Sequence, residues 1–107
     1  MHTPRPGSTE QVTVRIDRDF EDIVPNFFAN RRKDLHTLRQ ALTSADFSTI
    51  QVLGHRMKGD GGGYGFDRIS EIGSAIELAA TLKDHAATER HIAQLEDFLS
   101  CLQVEYR

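Results

Sequence analysis

Tryptophan is absent from this chain, aromatic residues make up only 7% of it, and a single cysteine, Cys101, stands among 107 residues. One thiol cannot close an internal disulfide, so the fold has to hold by packing, and a reducing cytoplasm is the expected setting. Cys101 borders an apolar helical stripe and reads as a small core filler. No apolar run approaches the roughly 18 residues that a membrane span needs. The first residues, Met1 to Gly7, lack the apolar segment of a signal peptide. Neither sign of charge dominates: 13 Lys and Arg against 16 Asp and Glu leave a net charge of −3. That excludes a general attraction to nucleic acid or to an anionic membrane surface. What remains, 38% hydrophobic and 27% charged residues, is the composition of one ordinary globular domain.

Residues 1–12 mix Pro, Gly, Ser, Thr and charge without periodicity and read as a mobile tail, leaving 13–107 as the domain. Val12 to Ile16 alternates like a strand, but no partner strand is evident, so an extended lead-in along the domain is expected. Asp17 is placed to cap a first helical turn through Ile23. Pro25 either breaks that turn or sits in the first turn of a longer helix. Positions 24, 28, 31, 35, 38 and 42 keep a helical rhythm to about Thr43, apolar throughout except for Arg31. The run Arg31-Arg32-Lys33 reads as a solvated helix face. Ser44 or Asp46 can cap a second helix, Asp67 a third with Ile69, Ile72, Ile76 and Ala79 inside, and Asp84 a fourth. In the last, Thr88, Ile92, Leu95, Leu99, Leu102 and Tyr106 sit at spacings of four and three, which predicts helix to the C-terminus. The expected fold is all-α, an antiparallel four-helix bundle with a short extended or helical N-terminal lead-in.

The second helix carries the unusual chemistry. Residues 53–66 hold six of the eight glycines, which composition alone would assign to a loop, since glycine costs roughly 0.8–1 kcal/mol per residue inside a helix. Periodicity argues otherwise. With 100° per residue, Ile50, Leu53, Gly54, Met57, Gly61 and Tyr64 fall within about 60° of one direction. His55, Gly59 and Gly62 gather on the opposite side, with Gln51 and Lys58 at its border. Gly54 and Gly61 would allow close helix–helix approach, whereas Gly59 and Gly62 have no packing purpose. Bulk has been removed around an exposed imidazole, an arrangement suited to close approach by another macromolecule. The glycines fail two nucleotide-binding tests. Gly54-x-x-x-x-Gly59 is followed by Asp60 instead of Lys, and no strand precedes a dinucleotide fingerprint.

His55-x-x-Lys58-Gly59, followed by Gly62 and Gly65, resembles the signature of histidine-containing phosphotransfer (HPt) domains of two-component phosphorelays. The resemblance extends from about Val14 to Arg107. It departs at Asp60, where a small hydroxyl residue is common. It implies a four-helix bundle whose exposed His55 carries a phosphoryl group between receiver aspartates, a phosphocarrier without independent turnover. The implied partners are a response-regulator receiver domain and a sensor or hybrid histidine kinase, with no nucleic acid or membrane, and the chain itself is expected to be monomeric. This chain offers no acidic pocket for magnesium, which the resemblance places on the receiver.

The residues support that chemistry independently. Neutral imidazole is a nucleophile near neutral pH and needs no activating base. Lys58, one turn on, is placed to favour a phosphoryl dianion by about 1 kcal/mol in water. Gln51, one turn back, can donate to the ring or to phosphoryl oxygens. Val52 and Arg56, with Gly59 and Gly62, form the expected docking surface. The positions three and four residues from His55 are Val52, Lys58, Gln51 and Gly59, so no carboxylate partner for the ring is expected. Its absence would suit a phosphohistidine that waits for a partner instead of hydrolysing. Two other classes remain open: a helical module that docks a receiver or kinase without phosphoryl transfer, and a small metal-binding bundle. The second is disfavoured because His36, His85 and His91 lack ligand spacing and His2 lies in the tail.

Overall fold

The computed structural model describes residues 12–63 and 66–106. Strand β1 (Val12–Ile16) leads through a 3-10 turn at Arg18–Phe20 into α1 (Val24–Thr43), α2 (Phe47–Gly63), α3 (Asp67–Thr81) and α4 (His85–Cys101), and β2 (Leu102–Tyr106) follows directly. The four helices form a helical bundle, as the periodicities predict. Of the segment read as a mobile tail, residues 1–11 lie outside the described residues and Val12 begins β1. Tyr64, assigned to the apolar stripe of α2, also lies outside them.

Local chemistry sets the helix boundaries. Asp17 caps the 3-10 turn by accepting the backbone N–H of Asp19 at 2.9 Å, and Pro25 sits in the first turn of α1, where no amide hydrogen is needed. Of the two candidate caps for α2, Asp46 takes the role. It accepts the hydroxyl of Thr49 at 2.7 Å and its N–H at 3.2 Å, and these bonds hold its carboxyl below the ordinary carboxylate value. Asp84 caps α4 through the N–H of Ala87 at 3.0 Å. Asp67 does not cap α3. Phe66 occupies that position without a side-chain bond, and Asp67 lies inside the first turn, where its charge favours the helix dipole. Phe66 is instead committed to the core, its ring stacked on Phe27 at 5.2 Å and edge-on to Phe28 at 4.8 Å.

The C-terminus departs from the expected continuous helix. After Cys101 the backbone turns extended, and Leu102–Tyr106 pairs in parallel with Val12–Ile16, Val12 opposite Leu102 and Ile16 opposite Tyr106. Leu102, Val104 and Tyr106, with Val14, pack against the core, and Arg15 pairs with Glu105 on the outside at 3.7 Å. The apolar residues 102 and 106 fit a helical spacing, but 102, 104 and 106 fit a strand equally well. The partner strand lies some ninety positions earlier, so no local pattern distinguishes the two. The lead-in is extended as expected, and β2 is the partner that the sequence left unseen.

The core is built from the predicted stripes, including Ile50, Met57, Ile69, Ile72, Ile76, Ile92 and Leu95, all essentially inaccessible to solvent. Its tightest seam lies between α2 and α3. A Cβ on Gly54 would stand 2.7 Å from the backbone N of Glu77, and one on Gly61 would stand 2.6 Å from that of Ser70. The helices therefore run antiparallel with their backbones nearly touching, and Ser70 reinforces the seam by donating its hydroxyl to the carbonyl of Lys58 at 2.6 Å. This packing keeps α2 helical through its glycines against their intrinsic preference.

Candidate functional site

Because α3 grips one edge of α2 by backbone contact, the opposite edge is fixed in space and bare. A Cβ added to Gly59 or Gly62 would meet nothing within 4 Å. His55 stands beside this strip with 71% of its side chain exposed. The ring is nevertheless anchored: Nδ1 lies 2.8 Å from Oε2 of Glu77 on α3. An ionised carboxylate only accepts hydrogen bonds, so Nδ1 carries the hydrogen and the lone pair belongs to Nε2. Among the described residues Nε2 has no partner. The other oxygen of Glu77 lies 3.9 Å from Nζ of Lys58. One carboxylate from α3 thus gathers the histidine and the lysine of the motif.

Glu77 is the residue that the sequence reading missed. No carboxylate was expected beside the ring, because only neighbours along α2 were considered; the structure corrects this with one from α3. The available signal was Gly73, a glycine within the α3 pattern. A Cβ there would stand 2.8 Å from the carbonyl oxygen of Gly54. Pairing these two glycines across an antiparallel seam brings Glu77 next to His55.

The remaining expected residues divide around the ring. Val52 is exposed on the far side of the bare strip. Gln51 is exposed one turn before His55, and no hydrogen bond joins it to the ring among the described residues. Arg56 turns towards α1, where its guanidinium lies 3.6 Å from Asp34.

An exposed, tautomer-locked histidine on a glycine-lined helix face is thus set in a four-helix bundle. The Hpt domain family model matches residues 22–105. The chain belongs to the Hpt domain family. Hpt domains carry phosphoryl groups in two-component signalling and are not catalysts in their own right; their partners are receiver domains and kinases. Curated proteins gave no match to the chain, and solved structures gave none. Strand β1 precedes the matched span, whereas β2 lies within it up to residue 105. Among the described residues no helix is long and apolar enough to cross a membrane.

The departure of this Hpt domain at Asp60 is explained by a second anomaly in the sequence. Arg31, read with Arg32 and Lys33 as part of a solvated face, is buried at 6% exposure while its two neighbours are exposed. Its guanidinium bonds Asp60 across the α1–α2 seam at 3.0 Å and lies 3.0 Å from Asp34, with Phe27 beneath it at 5.0 Å. The charge that breaks the apolar rhythm of α1 and the charge that breaks the family motif neutralise each other. Asp34 is less comfortable. Its Oδ2 is buried without a hydrogen bond, and desolvation pushes its carboxyl above the ordinary value despite Arg31 and Arg56, with Asp60 adding to the rise. A raised folded-state value means that protonated Asp34 favours the fold below the unfolded value, a contribution lost as pH rises through the folded one. We expect Arg31→Leu to destabilise the domain by about 3 kcal/mol, because buried Asp34 is left with only the half-exposed Arg56 at 3.6 Å to offset its charge. Arg31→Leu with Asp34→Leu should recover most of that loss in urea melts. Equal melts for Arg31→Leu and wild type would show that the cluster contributes nothing.

Proposed function

We propose that Nε2 of His55 accepts a phosphoryl group from a receiver-domain aspartyl phosphate and returns it to another receiver aspartate, in the cytoplasm. The single observation that carries this reading is the exposed ring, held by Nδ1 beside a strip without side chains. Phosphoryl transfer is achieved mainly by in-line positioning and charge neutralisation. The anchor supplies the first by fixing the ring plane, and Lys58 contributes to the second. Magnesium and the acceptor aspartate come from the receiver, whose pocket descends onto Gly59 and Gly62, with Val52 and Arg56 along one border of that strip. Incubation with a phosphorylated receiver domain tests the reading: the chain should acquire an acid-labile phosphoryl group. A stable complex that never transfers label would favour a docking module.

The bare strip gives a second measurement. Gly59→Ala with Gly62→Ala replaces an exposed interior glycine and one in the last turn of α2, and should stabilise the domain by about 1 kcal/mol at Gly59 and by less at Gly62. The same methyl groups obstruct close approach, so transfer from the receiver should slow although the fold is firmer. A double variant that is more stable and transfers at the wild-type rate would show that docking does not use this strip.

A further inference from the structure

The helices differ in how they stop. Helices α1 and α3 are each followed by a residue with left-handed backbone, Ala45 at φ 53° and Lys83 at φ 54°. The next amide closes the turn in both cases: Asp46 donates its N–H to the carbonyl of Ala41 at 2.8 Å, and Asp84 donates to that of Ala79 at 3.0 Å. Helix α4 has no such stop. The sequence holds no glycine or proline after Gly73. No other non-glycine residue among those described has a positive φ, and Leu102 simply turns extended at φ −76° and ψ 133°. Leucine, glutamine and glutamate, at 102, 103 and 105, are moreover good helix formers. Nothing local therefore ends α4 at Cys101, and it is the pairing with β1 that draws the chain out of the helix.

That pairing has little strength of its own. Each strand has five residues, and a two-stranded sheet is marginal by itself in water. The Arg15–Glu105 pair joins two exposed side chains across it and contributes little. Support comes from Leu102, Val104 and Tyr106, which pack against the core without being fully buried. A helical continuation would keep most of this contact. Stepping 100° per residue from Leu99, Leu102 and Tyr106 stay within about 60° of it and remain over the core, whereas Val104 lies about 140° away and turns to solvent. The helix also gives each residue a backbone bond in exchange for the ladder. The two conformations therefore differ by one inward side chain and by which backbone bonds are made.

We propose that residues 102–106 form a two-state latch. Paired with β1, they clip the lead-in to the bundle. Unpaired, they continue α4 as helix, lengthen it by about 7 Å and release Val12 to Arg15, while buried Ile16 keeps the lead-in anchored. The latch is separate from the phosphoryl site, since His55, Lys58 and Glu77 all lie on α2 and α3.

The test reads Cα chemical shifts of residues 102–106 by NMR, together with thermal melts, in the full chain. Successive residues of a parallel strand turn their N–H groups to opposite sides. Thr13→Pro with Val14→Pro therefore breaks the ladder whichever of the two faces β2. In that variant the shifts of 102–106 should change from strand sign to helical sign. Val104→Lys selects the same state from the other side, because the lysine faces the core in the strand and water in the helix. It should show helical shifts and a melting temperature close to that of wild type. Leu102→Lys, inward in both states, should lower the melting temperature by roughly 5 °C or more. Random-coil shifts at 102–106 in the double proline variant would overturn the proposal, because the segment then frays instead of switching. So would a Val104→Lys protein that melts as low as Leu102→Lys. Helical shifts throughout 102–106 in wild type would overturn it as well, since the latch would then never close.

Discussion

His55→Gln should take no label from a phosphorylated receiver domain, whereas wild type gains a phosphoryl group that survives alkali and is lost in acid. The expected difference is complete loss and not a reduced rate, because the substitution removes the one imidazole beside the bare strip among the described residues. The other described histidines offer no comparable site. His91 turns Nδ1 towards Gln94 at 2.9 Å, His85 lies edge-on to Phe47, and His36 sits among the exposed positions of α1. The fold should be untouched, since a 71% exposed side chain contributes little packing, and surface changes of this kind stay within about 0.5 kcal/mol. Glutamine also retains a donor for Glu77. The comparison therefore separates chemistry from stability. Equal labelling of the two proteins would remove His55 from the mechanism.

Gly73→Ala is expected to have the largest structural effect. The new methyl carbon would stand 2.7 Å from the backbone N of Lys58 and 2.8 Å from the carbonyl oxygen of Gly54. Both are main-chain atoms of a packed helix and cannot swing aside as a side chain can. Relief requires α2 and α3 to part along their length, which loosens Met57, Ile69, Ile72 and Ile76 together. Overpacking usually costs 1–3 kcal/mol; against two backbones we expect about 3 kcal/mol or more, a large share of the stability of such a domain. Parting the seam also draws Glu77 away from His55, so phosphoryl transfer should fall with the melting temperature. Gly59→Ala is the control of opposite sign, since the same methyl group there meets nothing. A Gly73→Ala protein that melts with wild type would mean that the seam is softer than its geometry implies.

The helices and the two kinds of glycine in α2 were legible in the sequence because they depend on neighbours three and four positions away. Stripes such as Ile69, Ile72 and Ile76 name their buried side directly, and caps such as Asp46 and Asp84 announce themselves by residue type. Asp67 misled because an acidic residue favours both the cap and the first turn, and the packing of Phe66 chose between them. Arg31 and Asp60 were each visible as exceptions. Their connection was not, since they lie on different helices and meet only when α1 and α2 pack antiparallel.

By itself, then, the amino-acid sequence determined four amphipathic helices, an imidazole on an outward face, and a strip beside it kept free of side chains. Those are local properties, set by a rotation of 100° per residue and by the chemistry of single positions. Tertiary structure alone decided that Glu77 holds the ring, that Arg31 and Asp60 cancel, and that residues 102–106 leave the helical path to pair with β1. Each joins residues distant in the chain, and their meeting depends on the orientation of whole elements once the core has closed.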